Sequence, residues 1–102
     1  MNSIVDPQFS PKDPAEIITL GFDFAALTST PSSPVFTVTR LAGAADPDPS
    51  ALKSGAASIS GTKALQKIVG GVSGCRYLIE CQVDAPDGSR YVLTGVLPVV
   101  EA

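Results

Sequence analysis

Hydrophobic and polar residues alternate with a period of two along most of this chain. The alternation is clearest in residues 17–24, 35–41, 75–84 and 90–97, which are rich in β-branched and aromatic side chains. Turn-forming Gly, Pro, Asp and Ser residues interrupt it roughly every ten residues. The chain has neither an internal repeat nor the strand–helix–strand alternation of α/β proteins. The pattern therefore predicts an all-β domain of short strands in two packed sheets.

One segment carries signals for both a helix and a strand. Residues 13–16, Asp-Pro-Ala-Glu, have the N-cap, the first-turn proline and the capping-box glutamate that commonly start a helix. The residues that follow include Ile17, Ile18 and Gly21, which are poor helix formers, and from there the apolar positions alternate. We therefore predict a strand here.

The remaining strands follow from the turn signals. Residues 56–61 and 62–71 are expected to form two shorter strands separated at Gly61, after a loop over residues 42–55. A Pro-Asp-Gly turn in residues 85–90 is expected to join the last two strands. Pro98 donates no backbone hydrogen bond, so we expect it to lie at a sheet edge.

The first residues differ in pattern from the rest of the 102-residue chain. Residues 1–13 show little periodicity and contain Pro7 and Pro11, yet they also carry the apolar Ile4, Val5 and Phe9. We expect residues 1–13 to form an extended N-terminal arm and residues 14–100 a single β-sandwich domain. Such an arm either folds back on its own sandwich or docks on a neighbouring subunit, and the sequence leaves both open.

The two cysteines do not form a disulfide within one extended strand. Cys75 and Cys81 are six residues apart, so their Cα atoms would lie roughly 20 Å from each other. A disulfide requires less than about 7 Å. Their even spacing places both on the face of Tyr77, Ile79 and Val83, which predicts two small buried hydrophobic residues.

Neither a nucleic acid nor a membrane is expected as a partner. The net charge is −3, and the cations are scattered singly at positions 12, 40, 53, 63, 67, 76 and 90. A nucleic-acid partner is not expected, because its phosphates require a basic stripe. Membrane association is not expected either, since the apolar runs are shorter than the ~20 residues that span a bilayer and the N-terminus lacks signal-peptide features. Synthesis in a cytosol follows as an expectation.

The sequence offers little catalytic chemistry. Histidine is absent, which removes the commonest general base and metal ligand at neutral pH. Asp46 and Asp48 are better explained as a turn than as half a calcium site. Glu80, Asp84 and Asp87 are better explained as surface carboxylates than as an acid–base pair. We expect no enzymatic activity, no metal and no cofactor.

Two sequence patterns resemble those of known protein families. The segment VSGCRYLIECQV resembles the turn-then-tyrosine strand entry of immunoglobulin and fibronectin type III modules, although Tyr77 lies four residues before Cys81 rather than two. A second pattern runs through the chain: a Lys-Asp-Pro-x-Glu start leading to an aromatic residue, a glycine turn before a tyrosine, and a hairpin closing at Pro-Val. It is formed here by Lys12, Asp13, Pro14, Glu16, Phe24, Gly70, Gly71, Gly74, Tyr77, Gly88, Pro98 and Val99.

In this order, and over residues 9–99, the second pattern resembles the phage fibre–tail adaptor family of small tailed-phage proteins. The family often has tryptophan where this chain has Phe24, a difference that affects core volume. The resemblance implies an immunoglobulin- or fibronectin III-like β-sandwich of six or seven antiparallel strands. It also implies a non-enzymatic virion structural protein that joins tail or connector proteins to tail fibres as a repeated subunit of a symmetric ring. Its expected place is the virion tail, after synthesis and assembly in the bacterial host cytoplasm.

The resemblance also points to an interface near the N-terminus. The expected interface residues are Phe9, Pro11, Lys12, Asp13, Pro14 and Glu16. The alternative is that Pro14 and Glu16 only start the first strand. Two other functions stay open: a head completion or capsid decoration protein, and a free protein- or carbohydrate-binding module.

Overall fold

The computed structural model of the protein describes residues 8–101, which contain six strands. They are β1 (Ile18–Asp23), β2 (Ser32–Gly43), β3 (Lys53–Ser60), β4 (Lys63–Ile68), β5 (Cys75–Asp84) and β6 (Arg90–Val99), with one turn of 3₁₀-helix at Pro49–Leu52. Every pairing between these strands is antiparallel. The part of the chain that the structure describes has no helix long and apolar enough to cross a membrane.

The strands form two three-stranded sheets with the orders β1-β4-β3 and β2-β5-β6. In an immunoglobulin domain, strands A-B-E-D form one sheet and C-F-G the other. The six strands take the places of B to G in that arrangement, and no residue within 8–101 forms an A strand in the first sheet. The predicted all-β sandwich is therefore confirmed.

The core lies between the inward faces of the two sheets. Every second residue of β5, from Cys75 to Val83, is fully buried, and β1 contributes Leu20 and Phe22 from the opposite sheet. The sequence prediction that both cysteines share the face of Tyr77, Ile79 and Val83 is correct, and both thiols are free. Burying a large apolar side chain contributes roughly 1.5–3 kcal/mol, so this alternation is the main stabilising term.

The segment before β4 differs from the sequence prediction. β3 begins at Lys53, within the expected loop, and is preceded by the 3₁₀ turn. The reason is a register shift between Ser54 and Ser58 against β4, where Gly55 has a φ of 74°. Residues 55–57 stand opposite Gln66 alone, so the bulge adds two residues to β3 and interrupts its regular pairing, which hides the strand start in the sequence.

Burial of the Cys81 thiol is expected to make the fold less stable at alkaline pH. Burial raises the pKa of Cys81 to about 12 from an ordinary value of 9.0. Between these values the folded state binds more protons than the unfolded state, so stability is full below pH 9 and falls as pH rises, by about 1.4 kcal/mol per pH unit. Urea unfolding from pH 8 to 10.5 should show this extra fall in the wild type and not in Cys81→Ala. Parallel stability curves for the two proteins would contradict the assignment.

Candidate interaction surface

The described part of the N-terminal arm, residues 8–12, lies parallel to β6 and covers its outer edge. The amide of Phe9 donates to the Val96 carbonyl at 2.8 Å, and that of Lys12 donates to the Pro98 carbonyl at 3.0 Å. Val100 returns a bond to the Lys12 carbonyl at 2.9 Å. Because the Pro98 carbonyl faces the arm, its missing N–H faces the arm as well, at the sheet edge where the sequence placed this proline.

Phe9 contacts both sheets at the seam between them, which is the gap between β1 and β6. Its ring meets that of Phe22 edge-on, with centroids 5.5 Å apart and an interplanar angle of 71°. Phe22 belongs to β1, whereas the Phe9 backbone bonds to β6 of the other sheet. Edge-to-face aromatic pairs add about 0.5–1.5 kcal/mol to the burial of their area. Residues 8–12 are thus attached to their own sandwich.

The buried side chain of Lys12 holds the arm against the rest of the domain. Its side chain is 1% exposed, and Nζ donates to the Gly70 carbonyl at 2.7 Å and to the Asp13 carbonyl at 2.9 Å. Gly70 lies in the turn between β4 and β5, so one ammonium group ties the arm to that turn. Loss of hydration lowers the pKa of Lys12, while the carboxylates of Glu16 and Asp13 act in the opposite direction.

The Asp-Pro-Ala-Glu segment forms a tight turn that leads into β1. Glu16 Oε1 accepts from the Asp13 amide at 2.7 Å, and the Glu16 amide donates to the Asp13 carbonyl at 2.9 Å. Asp13 Oδ1 accepts from the Ala15 amide at 2.8 Å. These are the bonds of a helix capping box, but here they close one turn and the chain then becomes extended.

The six expected interface residues are therefore not equally accessible. Lys12 is buried, and Phe9, Asp13 and Pro14 are half-buried. Pro11 and Glu16 are exposed, and next to them Ile17 is 67% exposed. Sequence reasoning did not nominate Ile17. Its signal was the pair Ile17-Ile18, since two successive residues of a strand face opposite sides and one of them must face out.

A second anchored region surrounds Tyr77. Its hydroxyl donates to Asp46 Oδ2 at 2.6 Å and accepts from the Val72 amide at 2.9 Å. This is the hydrogen bond of an immunoglobulin tyrosine corner, made at the start of β5. Burial, followed by the bond to Asp46, raises the pKa of Tyr77. Asp46, considered above as a calcium ligand, thus holds a loop to the core.

Two other carboxylates considered for chemistry, those of Asp84 and Asp87, also serve the fold. Asp84 Oδ1 pairs with Arg90 Nε at 2.9 Å across the last hairpin. Asp87 accepts from the Ser89 amide at 2.9 Å, and bonds from Ser89 lower the pKa of Asp87. Among residues 8–101, no three His, Cys, Asp or Glu side chains come together in a group that could hold a metal ion.

The two outer faces of the sandwich differ in chemistry. On the β2-β5-β6 sheet, Val35 and Val92 flank Gln82 and are 53% and 48% exposed, while Thr37 and Thr94 flank Glu80. We call these six residues the valine face. The valine face thus combines two exposed apolar side chains with polar ones, which is a surface that another protein can contact.

The β1-β4-β3 sheet presents a more polar outer face with a shallow pocket. The pocket has a volume of about 420 Å³ and is open to solvent. Its lining combines small polar residues with one apolar and one basic side chain: Thr19, Ser54, Gly55, Ala56, Ser58, Leu65, Gln66 and Lys67. Lys63 follows on the same face of β4.

Comparisons with known proteins match the chain to a protein family. No curated protein matched the chain, and no solved structure matched it. A family model described as podophage GP4 fiber-tail adaptor protein gp77 matches residues 12–98. The match starts at the lysine that fastens the arm and ends in β6, so it spans both sheets. The chain belongs to this fiber-tail adaptor family of podophages.

Proposed function

We propose that the protein is a non-enzymatic subunit of the virion tail, repeated around a symmetric ring, that joins tail or connector proteins to tail fibres. The observation that carries this proposal is the family match over residues 12–98. An adaptor must hold two different neighbours at once. The sandwich provides two outer faces of different chemistry, the valine face and the polar β1-β4-β3 face with its lysines.

We include a ring in the proposal because a small adaptor gains binding affinity when several copies act together. A subunit of this size has limited area for any one partner, and repeated copies convert weak single contacts into strong combined binding. Closed rings arise when one surface of a subunit binds a different surface of the next copy. Assembly in the bacterial host cytoplasm, before release of the virion, belongs to the same proposal.

The expected interface residues and Ile17 together form what we call the N-terminal patch. In this patch, we propose that the exposed residues contact a partner and the buried ones hold them in place. Pro11, Glu16 and Ile17 face solvent. Phe9, Lys12 and Asp13 hold them in place through the bonds described above, and the half-buried Pro14 lies in the same turn. A patch fixed in advance loses little conformational freedom when it binds, which favours affinity.

The test is the mass of the purified protein in solution, measured by light scattering or native mass spectrometry. It is measured alone and after mixing with the tail and fibre proteins of the same phage. The expected result is a complex of fixed stoichiometry that contains several copies of this chain. A protein that ignores every tail component but binds capsid would favour the head completion or decoration function. Binding to a glycan alone would favour the free module.

The exposed Ile17 gives a point test of the patch. Replacing it with aspartate should weaken binding to the tail complex about tenfold, the effect of losing roughly 1.4 kcal/mol of apolar contact. Leu27→Asp is the matched control, because Leu27 is also a large exposed apolar residue at 43% but lies after β1. Both variants should fold normally. Equal binding by the two variants would remove Ile17 from the interface.

A further inference from the structure

The four edge strands of the sandwich are not protected to the same degree. An exposed edge invites pairing with other chains, and proteins guard against it with bulges, charges or coverage. The arm covers β6, and register shifts interrupt β2 and β3. β1 pairs with β4 in one unbroken register over all six of its residues, Ile18–Asp23. Within residues 8–101 it is the edge strand with neither a bulge nor a covering segment, and its one charged residue, Asp23, lies at its end.

The backbone of β1 offers free hydrogen-bonding groups along this edge. The Phe24 amide bonds to the Thr62 carbonyl directly opposite at 2.9 Å, which fixes the phase of the ladder. Alternate residues counted back from Phe24 therefore bond to β4, and the residues between them, Thr19 and Gly21 among them, point their N–H and C=O groups outward. Within residues 8–101, no backbone group pairs with Thr19 or Gly21 on that side.

The described part of the arm leaves this edge open. Phe9 lies against Phe22, whereas Lys12 reaches Gly70, just beyond the end of β4 that pairs with Ile18. The arm therefore runs opposite to β1, but its backbone bonds go to β6 of the other sheet. Residues 8–12 therefore lie between the two sheets and do not pair with β1 as an A strand would.

Side chains beside the edge define what could bind there. On the outer face, Thr19 lies opposite Lys67 and Gly21 lies opposite Leu65. Both β1 residues are small, so a long side chain on an added strand can reach over them. The ammonium group of Lys67 forms no hydrogen bond or ion pair with any residue in the 8–101 range, and Lys67 lines the pocket with Thr19 and Leu65. On the inner face, the neighbours are Ile18, Leu20 and Phe22.

We propose that the outer edge of β1 is a strand-acceptor site for an extended acidic segment of a neighbouring tail protein. The segment adds a fourth strand to the β1-β4-β3 sheet through the outward groups of Thr19 and Gly21. Its apolar side chains face the seam, and the alternating carboxylates face Lys67. This inference deepens the proposed function by naming the surface and the chemistry of one partner.

Two synthetic octapeptides serve as probes, each acetylated and amidated. One alternates valine with glutamate, and the other alternates valine with lysine. The full-length ¹⁵N-labelled protein is titrated with each peptide, and amide shifts and hydrogen exchange are recorded. The acidic peptide should shift Thr19 and Gly21 and slow their exchange, and the basic peptide should bind about fivefold more weakly. Lys67→Glu should reverse the preference.

A backbone variant separates strand addition from simple charge attraction. Thr19→Pro removes an N–H that β4 does not use, so the fold should persist while binding of both peptides is lost. Thr19→Val keeps the N–H and should bind as the wild type does, and the amide spectrum of each variant verifies its fold.

Several results would overturn the proposal. They are unchanged binding by Thr19→Pro, peptide shifts centred on β2, β3 or the valine face, and absence of binding. Slow exchange of Thr19 and Gly21 in the free protein would also overturn it, since a segment of the same chain or a second copy would then occupy the edge. Failure here leaves the adaptor function standing, because that function is measured with whole tail proteins.

Discussion

Lys12→Ala is expected to lower the free energy of unfolding by about 2–3 kcal/mol, a large effect for a residue type that is usually a surface cation. The substitution removes a buried alkyl stem and leaves the carbonyls of Gly70 and Asp13 without their donor. Relief of the desolvated charge offsets part of this loss. Urea unfolding at neutral pH, monitored by tyrosine fluorescence, measures the change.

Lys53→Ala is the matched control for Lys12. Lys53 also donates to a backbone carbonyl, that of Phe36 at 2.9 Å, but Lys53 itself is exposed. Its loss should cost less than about 1 kcal/mol. Lys12→Met, which keeps the stem and removes the ammonium group, should fall between the two. Equal costs for Lys12→Ala and Lys53→Ala would show that burial of Lys12 does not fasten the arm.

Tyr77→Phe is expected to destabilise the protein by about 2–3 kcal/mol through the loss of one oxygen atom. The ring volume is kept, so the core stays filled. The Val72 amide loses its acceptor, and the Asp46 carboxylate loses its donor. Leaving such groups unsatisfied costs more than the net value of a hydrogen bond, since their desolvation is no longer offset. Thermal and urea unfolding provide the measurement.

The control for Tyr77 is Tyr91→Phe. Tyr91 is half-buried against the core, and its hydroxyl makes no hydrogen bond with the residues the structure describes. The change should therefore lie within about 0.5 kcal/mol of the wild type. Similar costs at Tyr77 and Tyr91 would mean that the tyrosine corner stabilises this protein no more than any surface hydroxyl does.

The sandwich was predictable because its strands alternate and its turns carry glycine, proline and aspartate. The face shared by Cys75, Tyr77 and Cys81 follows from the period of two alone. The start of β3 was not predictable, because the bulge at Gly55 interrupts the regular pairing of the strand. Asp13 and Glu16 were ambiguous for a physical reason: the same side-chain bonds close a helix N-terminus and a tight turn.

The candidate surface was harder to predict than the fold. Lys12 was nominated as a contact residue, and its burial depends on a carbonyl 58 positions away, which no local pattern reveals. The course of residues 8–12 also depends on distant residues in β6. Likewise, Val35 and Val92 belong to strands that are far apart in sequence. They become one patch only when Gln82 of β5 lies between them.

The parallel arrangement of the arm and β6 also determines how the domain responds to mechanical load. Partners that pull the N-terminal end past Gln8 and the C-terminal end past Val100 pull the two parallel segments in opposite directions. The three backbone bonds that join them are then sheared together, whereas the bonds of a hairpin pulled at its open end break one by one. Resistance to such a force is a matter of unfolding rate rather than equilibrium stability. A link between a tail and its fibres gains from a domain whose terminal segments are loaded in shear.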